Sequence, residues 1–436
     1  MLTAFLGAFR TPDLRRKLLF TLFVIAIFRL GASLPTPGVS EKAVRICTNA
    51  ASRSGSSVFA LVNLFSGGAL LKLSVFALGI MPYITASIIL QLLAVVIPRL
   101  ETLRKEGQAG QSKITQYTRY LTVGLAILQS TGIVALARTG ALFGGAVCNQ
   151  SLLINTSVFT ITTMVFCMTA GTAVIMWLGE LITDRGVGNG MSLLIFTTVI
   201  SVIPGEMLNI YRVKHGFVFA IVLLTGFFIV GFVVFMEQAQ RRVPVQYAKR
   251  MVGRKMYGGT STYIPLKVNQ AGVIPVIFAS SLLYIPQLVS SMFGKQSATG
   301  WNAWVQRYLV SGASPVYMAL FFVLIIFFTY FYVAITFNPV EVADDMKKYG
   351  GFIPGIRPGR PTAEYLSYVL NRLTAPGSLY LGVIALIPMV ALGVLGASEQ
   401  FPFGGTTILI AVGVGLDTVK QIESQLQQRN YEGFLR

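Results

Sequence analysis

Long apolar stretches dominate the hydrophobic pattern of this chain, and the segments between them hold almost all of its charged residues. A helix needs about 20 apolar residues to cross the hydrocarbon core of a bilayer, which is roughly 30 Å thick. Stretches that meet or approach this length predict an all-α polytopic membrane protein with ten transmembrane helices. The predicted spans are 18–35, 76–98, 119–139, 152–178, 187–204, 216–236, 268–290, 315–337, 376–396 and 402–419.

The distribution of Lys and Arg predicts the orientation. With the N-terminus inside, the cytoplasmic segments hold 25 of the 35 basic residues and the opposite loops hold 9, while Arg29 lies within the first span. Because basic residues are concentrated in cytoplasmic loops, both termini are expected in the cytoplasm. No small-residue cleavage site follows the first apolar stretch, so we expect this span to be retained.

Composition supports a membrane protein and argues against several kinds of site. Only 12% of the residues are charged, about half the fraction typical of soluble domains. The net charge of +19 suits anionic lipid, RNA or acidic protein surfaces as partners. Cys47, Cys148 and Cys167 occur singly, which indicates neither a disulfide framework nor a zinc site. His215 is the only histidine in the sequence, which makes histidine-based chemistry an unattractive hypothesis.

One apolar stretch is too long for a single span. Residues 57–98 form 42 residues in which only Lys72 is charged, and one helix of that length would extend about 63 Å. The chain is therefore expected to break at the glycines of 66–68 or at 79–82. Because irregular backbone at membrane depth is tolerated only inside protein, segment 58–73 is predicted to re-enter the bundle from outside. An ordinary interfacial helix is the alternative.

An internal repeat divides the chain. Residues 79–87 match residues 272–280 at five of nine positions. The two segments fall in the second span of each group of five spans and run in opposite directions across the membrane. Gly- and Pro-interrupted spans in equivalent places are typical of inverted repeats around a central pathway, and chance is the alternative. The repeat predicts an N-terminal half, 1–204, and a C-terminal half, 205–436.

The sequence shows little chemistry of the kind that enzymes use. It contains no P-loop, no H-E-x-x-H stretch and no G-x-S-x-G elbow, so we predict a protein that is not an enzyme and that needs no cofactor or metal. Glu180 and Asp184 are interpreted as solvated carboxylates beside a cytoplasmic turn. A secondary transporter is the chief alternative, but it would be expected to place carboxylates in mid-span. A membrane scaffold that tethers ribosomes through basic loops is a third reading.

Two long cytoplasmic loops are candidate docking sites. Loop 237–267 holds seven basic residues and one acidic residue, and its alternating valines predict a hairpin. Loop 338–374 contains a run of Gly and Pro that predicts a turn presenting Arg357. Loops of this length are usually functional.

Several short motifs, in one order from the first span to the tail, carry a resemblance to a known family. The chain closely resembles the SecY family, the channel subunits of bacterial protein translocases. The motifs are 66–69 (SGGA), 77–84 (ALGIMPYI), 113–120 (KITQYTRY), 186–190 (GVGNG), 240–242 (QRR), 247–250 (YAKR), 265–269 (PLKVN), 337–339 (FNP), 355–359 (GIRPG) and 403–405 (FGG).

The resemblance implies two inverted five-helix halves around a pore that a ring of aliphatic side chains constricts. A hydrophobic constriction can block ions by dewetting. Met191 departs from the isoleucine-like pattern of the family, although its flexible side chain can also seal. The matching ring positions are Ile84, Ile88, Met191, Ile195, Ile277 and Ile410.

The resemblance also implies a plug and a lateral gate. The re-entrant segment 58–73 matches the plug helix, and its core of small residues is 66–69. The expected plug residues are Leu64, Phe65, Ser66, Gly67, Gly68 and Ala69. Spans two and seven match the gate, where Ser87, Gln91, Gln129 and Asn269 are expected to make the polar contacts that set its closed-state stability.

The implied function is a protein-conducting channel that passes unfolded secretory polypeptides and releases transmembrane segments into lipid. Since the chain has no P-loop, an external ATPase or the ribosome would supply the drive. The implied partners are the small membrane subunits SecE and SecG, the SecA motor ATPase, the ribosome with its RNA, signal sequences and membrane lipids. The expected location is the bacterial plasma (inner) membrane. The matching docking residues are Arg241, Arg242, Arg250, Arg254, Lys255 and Arg357.

Overall fold

The fold is mostly helical, with a small sheet built from the two long loops. A computed structural model describes residues 11–54, 66–139, 152–247, 250–252, 255–257, 261–292, 304–305, 308–309, 314–395 and 405–434. Its helices are α1 (Pro12–Ser33), α2 (Glu41–Ser54), α3 (Met81–Val96), α4 (Pro98–Lys105), α5 (Gln108–Thr139), α6 (Val158–Arg185), α7 (Gly190–Gln238), α8 (Ile274–Met292), α9 (Pro315–Thr336), α10 (Pro339–Lys348), α11 (Arg360–Leu395) and α12 (Gly405–Phe434). Its strands are β1 (Gln240–Tyr247), β2 (Arg250–Val252), β3 (Lys255–Tyr257), β4 (Ser261–Lys267) and β5 (Gly351–Phe352).

Several helices are long and apolar enough to span a bilayer. Among the described residues, four segments qualify by length and composition, namely Gln108–Arg138, Val158–Arg185, Pro315–Lys348 and Arg360–Ile387. Helices α3 and α4, which meet at a bend of 101°, make a fifth if the pair is counted as one span. Shorter apolar parts of helices coincide with predicted spans five to seven, namely Gly190–Gly205 and Val222–Gln238 in α7 and Ile274–Leu283 in α8. The polytopic helical fold agrees with the sequence prediction, and the count of ten spans stays a prediction.

The connection between predicted spans five and six differs from expectation. Helix α7 continues from Gly190 to Gln238, so the predicted loop 205–215 is itself helical. Pro204 lies inside this helix, where proline removes one backbone hydrogen bond. A single proline therefore does not end the helix here, although it is the strongest breaker in the segment.

The internal repeat extends to backbone geometry. Gly79 and Gly272 have φ angles of +57° and +61°, in the left-handed region that glycine occupies without a steric cost. Helix α3 and helix α8 each begin two residues after their glycine and carry a proline in the first turn, where its missing N–H costs nothing. The two segments thus share one way of starting a helix, and α8 packs against both α3 and α5.

The two long basic loops form one structural unit. The predicted hairpin is confirmed, because β1 pairs antiparallel with β4, from Gln240 opposite Lys267 to Gln246 opposite Ser261. Strand β5, from the second loop, pairs with the other edge of β1. The alternating valines Val243 and Val245 point into a separate hydrophobic cluster. That cluster also contains side chains of β4, α10 and α11, so the loops share a core.

One expectation about cysteines is wrong. Cys47 is buried and disulfide-bonded, whereas Cys167 is free. The loop before α2 runs beside the segment before α6, with the backbone N–H of Ser40 donating to the carbonyl of Leu152 at 2.9 Å. Which loops meet in space decides whether a cysteine finds a partner, and the spacing of single cysteines along the chain does not reveal that.

Candidate pore, gate and docking surface

The six predicted ring residues all lie in or against the main hydrophobic core, to which helices of both halves contribute. Helices α3, α7, α8 and α12 supply them, so both halves of the chain contribute. Four are buried inside the cluster and two, Ile84 and Met191, are partly buried and pack against it. The exposed fractions of the buried four are 7% for Ile88, 6% for Ile195, 7% for Ile277 and 1% for Ile410.

The described part of the predicted plug contributes one residue to the same core, whereas its three buried leucines belong to a second hydrophobic cluster. Ser66 and Ala69 are each 1% exposed, and Ala69 belongs to the cluster that holds the ring residues. Residues 66–80 form successive turns rather than a helix. Leu64 and Phe65 lie outside the described residues, so the predicted helical form of the segment before Ser66 stays a prediction.

The end of this segment is tied to helix α1. The carbonyl of Leu73 accepts hydrogen bonds from the hydroxyl and the backbone N–H of Thr36, at 2.6 and 3.0 Å. Pro35 and Ser74 form an isolated β-bridge directly beside them. The turns at 66–73 are therefore anchored at one end to the chain that leaves α1.

The predicted gate residues occupy the helices that meet between the two halves. Ser87 is half-buried and Gln91 is exposed on α3, while Gln129 on α5 is buried. At one end of this seam, the Arg104 guanidinium donates to the carbonyl of Ile335, in the last turn of α9, at 2.8 Å. Helix α4 thus contacts the C-terminal half.

Asn269 does not make the contacts expected from the sequence. Its amide donates to the carboxylate of Glu237 at 2.5 Å, rather than bonding to Gln91 or Gln129. The two residues meet because the β1–β4 hairpin returns the chain to its starting point, where the N–H of Val268 donates to the carbonyl of Ala239 at 3.0 Å. Glu237 is only 8% exposed, although the sequence predicted no role for it beyond being the one acidic residue of loop 237–267.

Glu180 is another residue that the sequence reading placed wrongly. Arg119 on α5 donates two hydrogen bonds to its carboxylate, at 2.8 and 2.7 Å. The Glu180 side chain is 21% exposed, so it is a bidentate ion-pair partner between helices rather than a solvated turn acid. The two residues are 61 positions apart, and no local pattern signals the pair.

In the part of the chain that the structure describes, no group of three or more His, Cys, Asp or Glu residues is placed to hold a metal ion.

Exposed arginines lie on the unit formed by the two long loops. Arg241 and Arg242 are exposed on β1, and the Arg242 guanidinium lies 4.8 Å from the ring centroid of Tyr263, a cation–π contact. Arg357 is exposed in the predicted turn. Its backbone carbonyl accepts a hydrogen bond from the hydroxyl of Thr362 at 2.9 Å. Arg250 and Lys255 belong to β2 and β3, and Arg254 lies outside the described residues.

Comparison with known proteins identifies the family. The SecY family model matches residues 74–419, which is most of the chain. The chain belongs to the SecY family. The protein translocase subunit SecY of Streptomyces scabiei is 66% identical over 440 residues, which cover all of both chains.

Solved structures of protein-conducting channels share the SecY-family fold. One such channel superposes with a TM-score of 0.64 at 18% identity, covering 94% of this chain and 91% of that one. Sec61 from a canine ribosome–channel complex of the endoplasmic reticulum gives 0.59 at 16% identity, with the same coverage. Family membership and fold together make this chain a multi-pass membrane protein and the channel subunit of a protein translocase, not an enzyme.

Proposed function

We propose that this chain passes unfolded secretory polypeptides through a pore between its halves and releases transmembrane segments sideways into lipid. The observation that carries the proposal is that all six aliphatic ring positions lie in or against one buried core, which also contains Ala69 of the plug segment. Four helices, drawn from both halves, supply these ring positions, which suits a constriction that closes when the halves pack and widens when they separate.

The chemistry of these residues fits a seal for chains of any sequence. An aliphatic constriction expels water and so blocks ions without a fixed lid. Around a moving polypeptide, flexible apolar side chains form a collar that does not depend on the sequence of the substrate. The turns at Ser66–Ala69 consist of small residues, which leave the cluster at a modest cost in buried apolar area.

The basic surface on the two loops suits an external driver. The unit formed by the two loops has its own core and exposes Arg241, Arg242 and Arg357. A force that a bound partner applies to these arginines is therefore transmitted to the packed core of the loops. Their charge fits the phosphates of ribosomal RNA and the acidic surface of a motor ATPase such as SecA. SecE and SecG would complete the complex in the bacterial plasma membrane, with both termini cytoplasmic. Sec61 in the canine complex is itself bound to a ribosome.

The proposal is tested at the ring. Replacing Ile84 and Ile277 together with serine should raise the ion conductance of the resting channel in planar bilayers, because hydroxyls favour water in the constriction. Val323→Ser is the matched control, since Val323 is 60% exposed on α9 and lies outside the cluster. Conductance in the ring variant equal to that of the control would count decisively against the pore.

A further inference from the structure

Arg29 places a charged side chain within the predicted first span. It lies in the last turns of α1, which the predicted topology puts near the outer face of the membrane. A cation in a span is costly and usually has a function. Among the described residues, its half-buried guanidinium donates to the carbonyl of Gly67, at 3.4 Å. Arg29 therefore contacts the backbone of the plug segment.

Gly67 is packed so closely between its neighbours that there is no room for a side chain. Its φ is +65°, and a Cβ there would lie 2.9 Å from Nη1 of Arg29 and 3.2 Å from Cα of Thr198. Thr198 lies one helical turn beyond Ile195 on α7, and its hydroxyl donates to the Ile195 carbonyl at 2.6 Å. The plug backbone thus passes between Arg29 and the helix that carries a ring residue.

The next residue provides an internal comparison. Gly68 also has a left-handed φ, +85°, but a Cβ there would have no atom within 4 Å. Alanine would strain the backbone at both positions, since L-residues rarely adopt this conformation. Only at Gly67 would the methyl group also displace the plug from Arg29 and Thr198.

We propose that Arg29 is a positioning residue that latches the plug, holding the Gly67 carbonyl against α7 on the outer side of the constriction. The inference rests on the proposed role of segment 58–73 as a plug. When the plug leaves, the guanidinium loses its carbonyl partner and faces the pathway as an uncompensated cation. That loss favours return of the plug and biases the resting channel toward the closed state.

The latch is tested by the resting conductance of the reconstituted full complex. Arg29→Gln should raise the open fraction about three- to tenfold, the range for one polar contact of modest strength in a membrane. Arg29→Lys keeps the charge, so it should raise the open fraction less than Arg29→Gln does. Gly67→Ala should leak more than Gly68→Ala. Equal leakage in the two glycine variants would refute the claim that close packing of Gly67 between Arg29 and Thr198 holds the plug.

Plug deletion separates failure of the latch from failure of the plug. If removing residues 58–73 raises conductance and Arg29→Gln does not, the latch is wrong and the plug stands; if neither changes conductance, the proposed plug is wrong. In the deleted channel, Arg29→Gln should add nothing, because a latch needs its plug. Ser66 is buried, and the Ser66→Cys variant should react faster with an impermeant maleimide from outside when it is combined with Arg29→Gln. An unchanged rate would contradict the latch even if expression of the variant falls.

Discussion

The hydrogen bond between Asn269 and Glu237 gives the sharpest energetic prediction. It joins the last turn of α7 to the chain just before α8, so it closes the base of the hairpin against the gate helix. We expect Asn269→Ala and Glu237→Ala each to destabilise the protein. The double variant should be less destabilised than the sum of the two, because the single variants each remove the same bond.

The size of the coupling follows from burial and charge. Hydrogen bonds to charged groups contribute about 1.5–3 kcal/mol, while polar contacts between membrane helices contribute about 0.6–2 kcal/mol. Asn269 is 3% exposed and Glu237 is 8% exposed, which favours the upper part of the membrane range. The ammonium groups of Lys267 and Lys420 also attract this carboxylate, whereas the carboxylate of Asp417 repels it, so the lysines replace the amide only in part. We therefore expect a coupling energy of about 1.5–2 kcal/mol.

The coupling is measured by a double-mutant cycle on unfolding in mixed micelles with rising SDS. The exposed pair Arg360–Glu364, with side chains 91% and 67% exposed, is the matched control and should couple by no more than about 0.5 kcal/mol. A value for Asn269 and Glu237 that does not exceed the control would refute the idea that burial makes this bond strong.

Two further predictions concern the docking surface and the disulfide. Arg357→Glu should impair motor- or ribosome-driven translocation while the protein still inserts, whereas Arg45→Glu in the predicted outer loop should not; normal translocation in both would remove the docking assignment. In oxidised, denatured protein, we expect maleimide to label Cys167 but not Cys47, because Cys47 is disulfide-bonded. Labelling of Cys47 should appear only after reduction, and mass spectrometry that finds it before reduction would contradict the bond.

The sequence alone determined features that depend on local physics. Runs of about 20 apolar residues must enter the hydrocarbon core as helices because backbone groups need internal partners there. The glycine–proline starts of α3 and α8, the valine alternation in β1 and the Gly–Pro turn around Arg357 follow from the conformations these residues allow. The motifs that carry the family resemblance are short and local in the same sense.

Only the tertiary structure decided which distant residues meet. Asn269 meets Glu237 because a hairpin closes, Arg119 meets Glu180 because α5 packs against α6, and the two loops share a core because β5 adds to β1. The contact of Arg29 with Gly67 belongs to this class as well. Apolar patterning selects a face and a length for each span but not its neighbours, so polar partners far apart in the chain are set by packing.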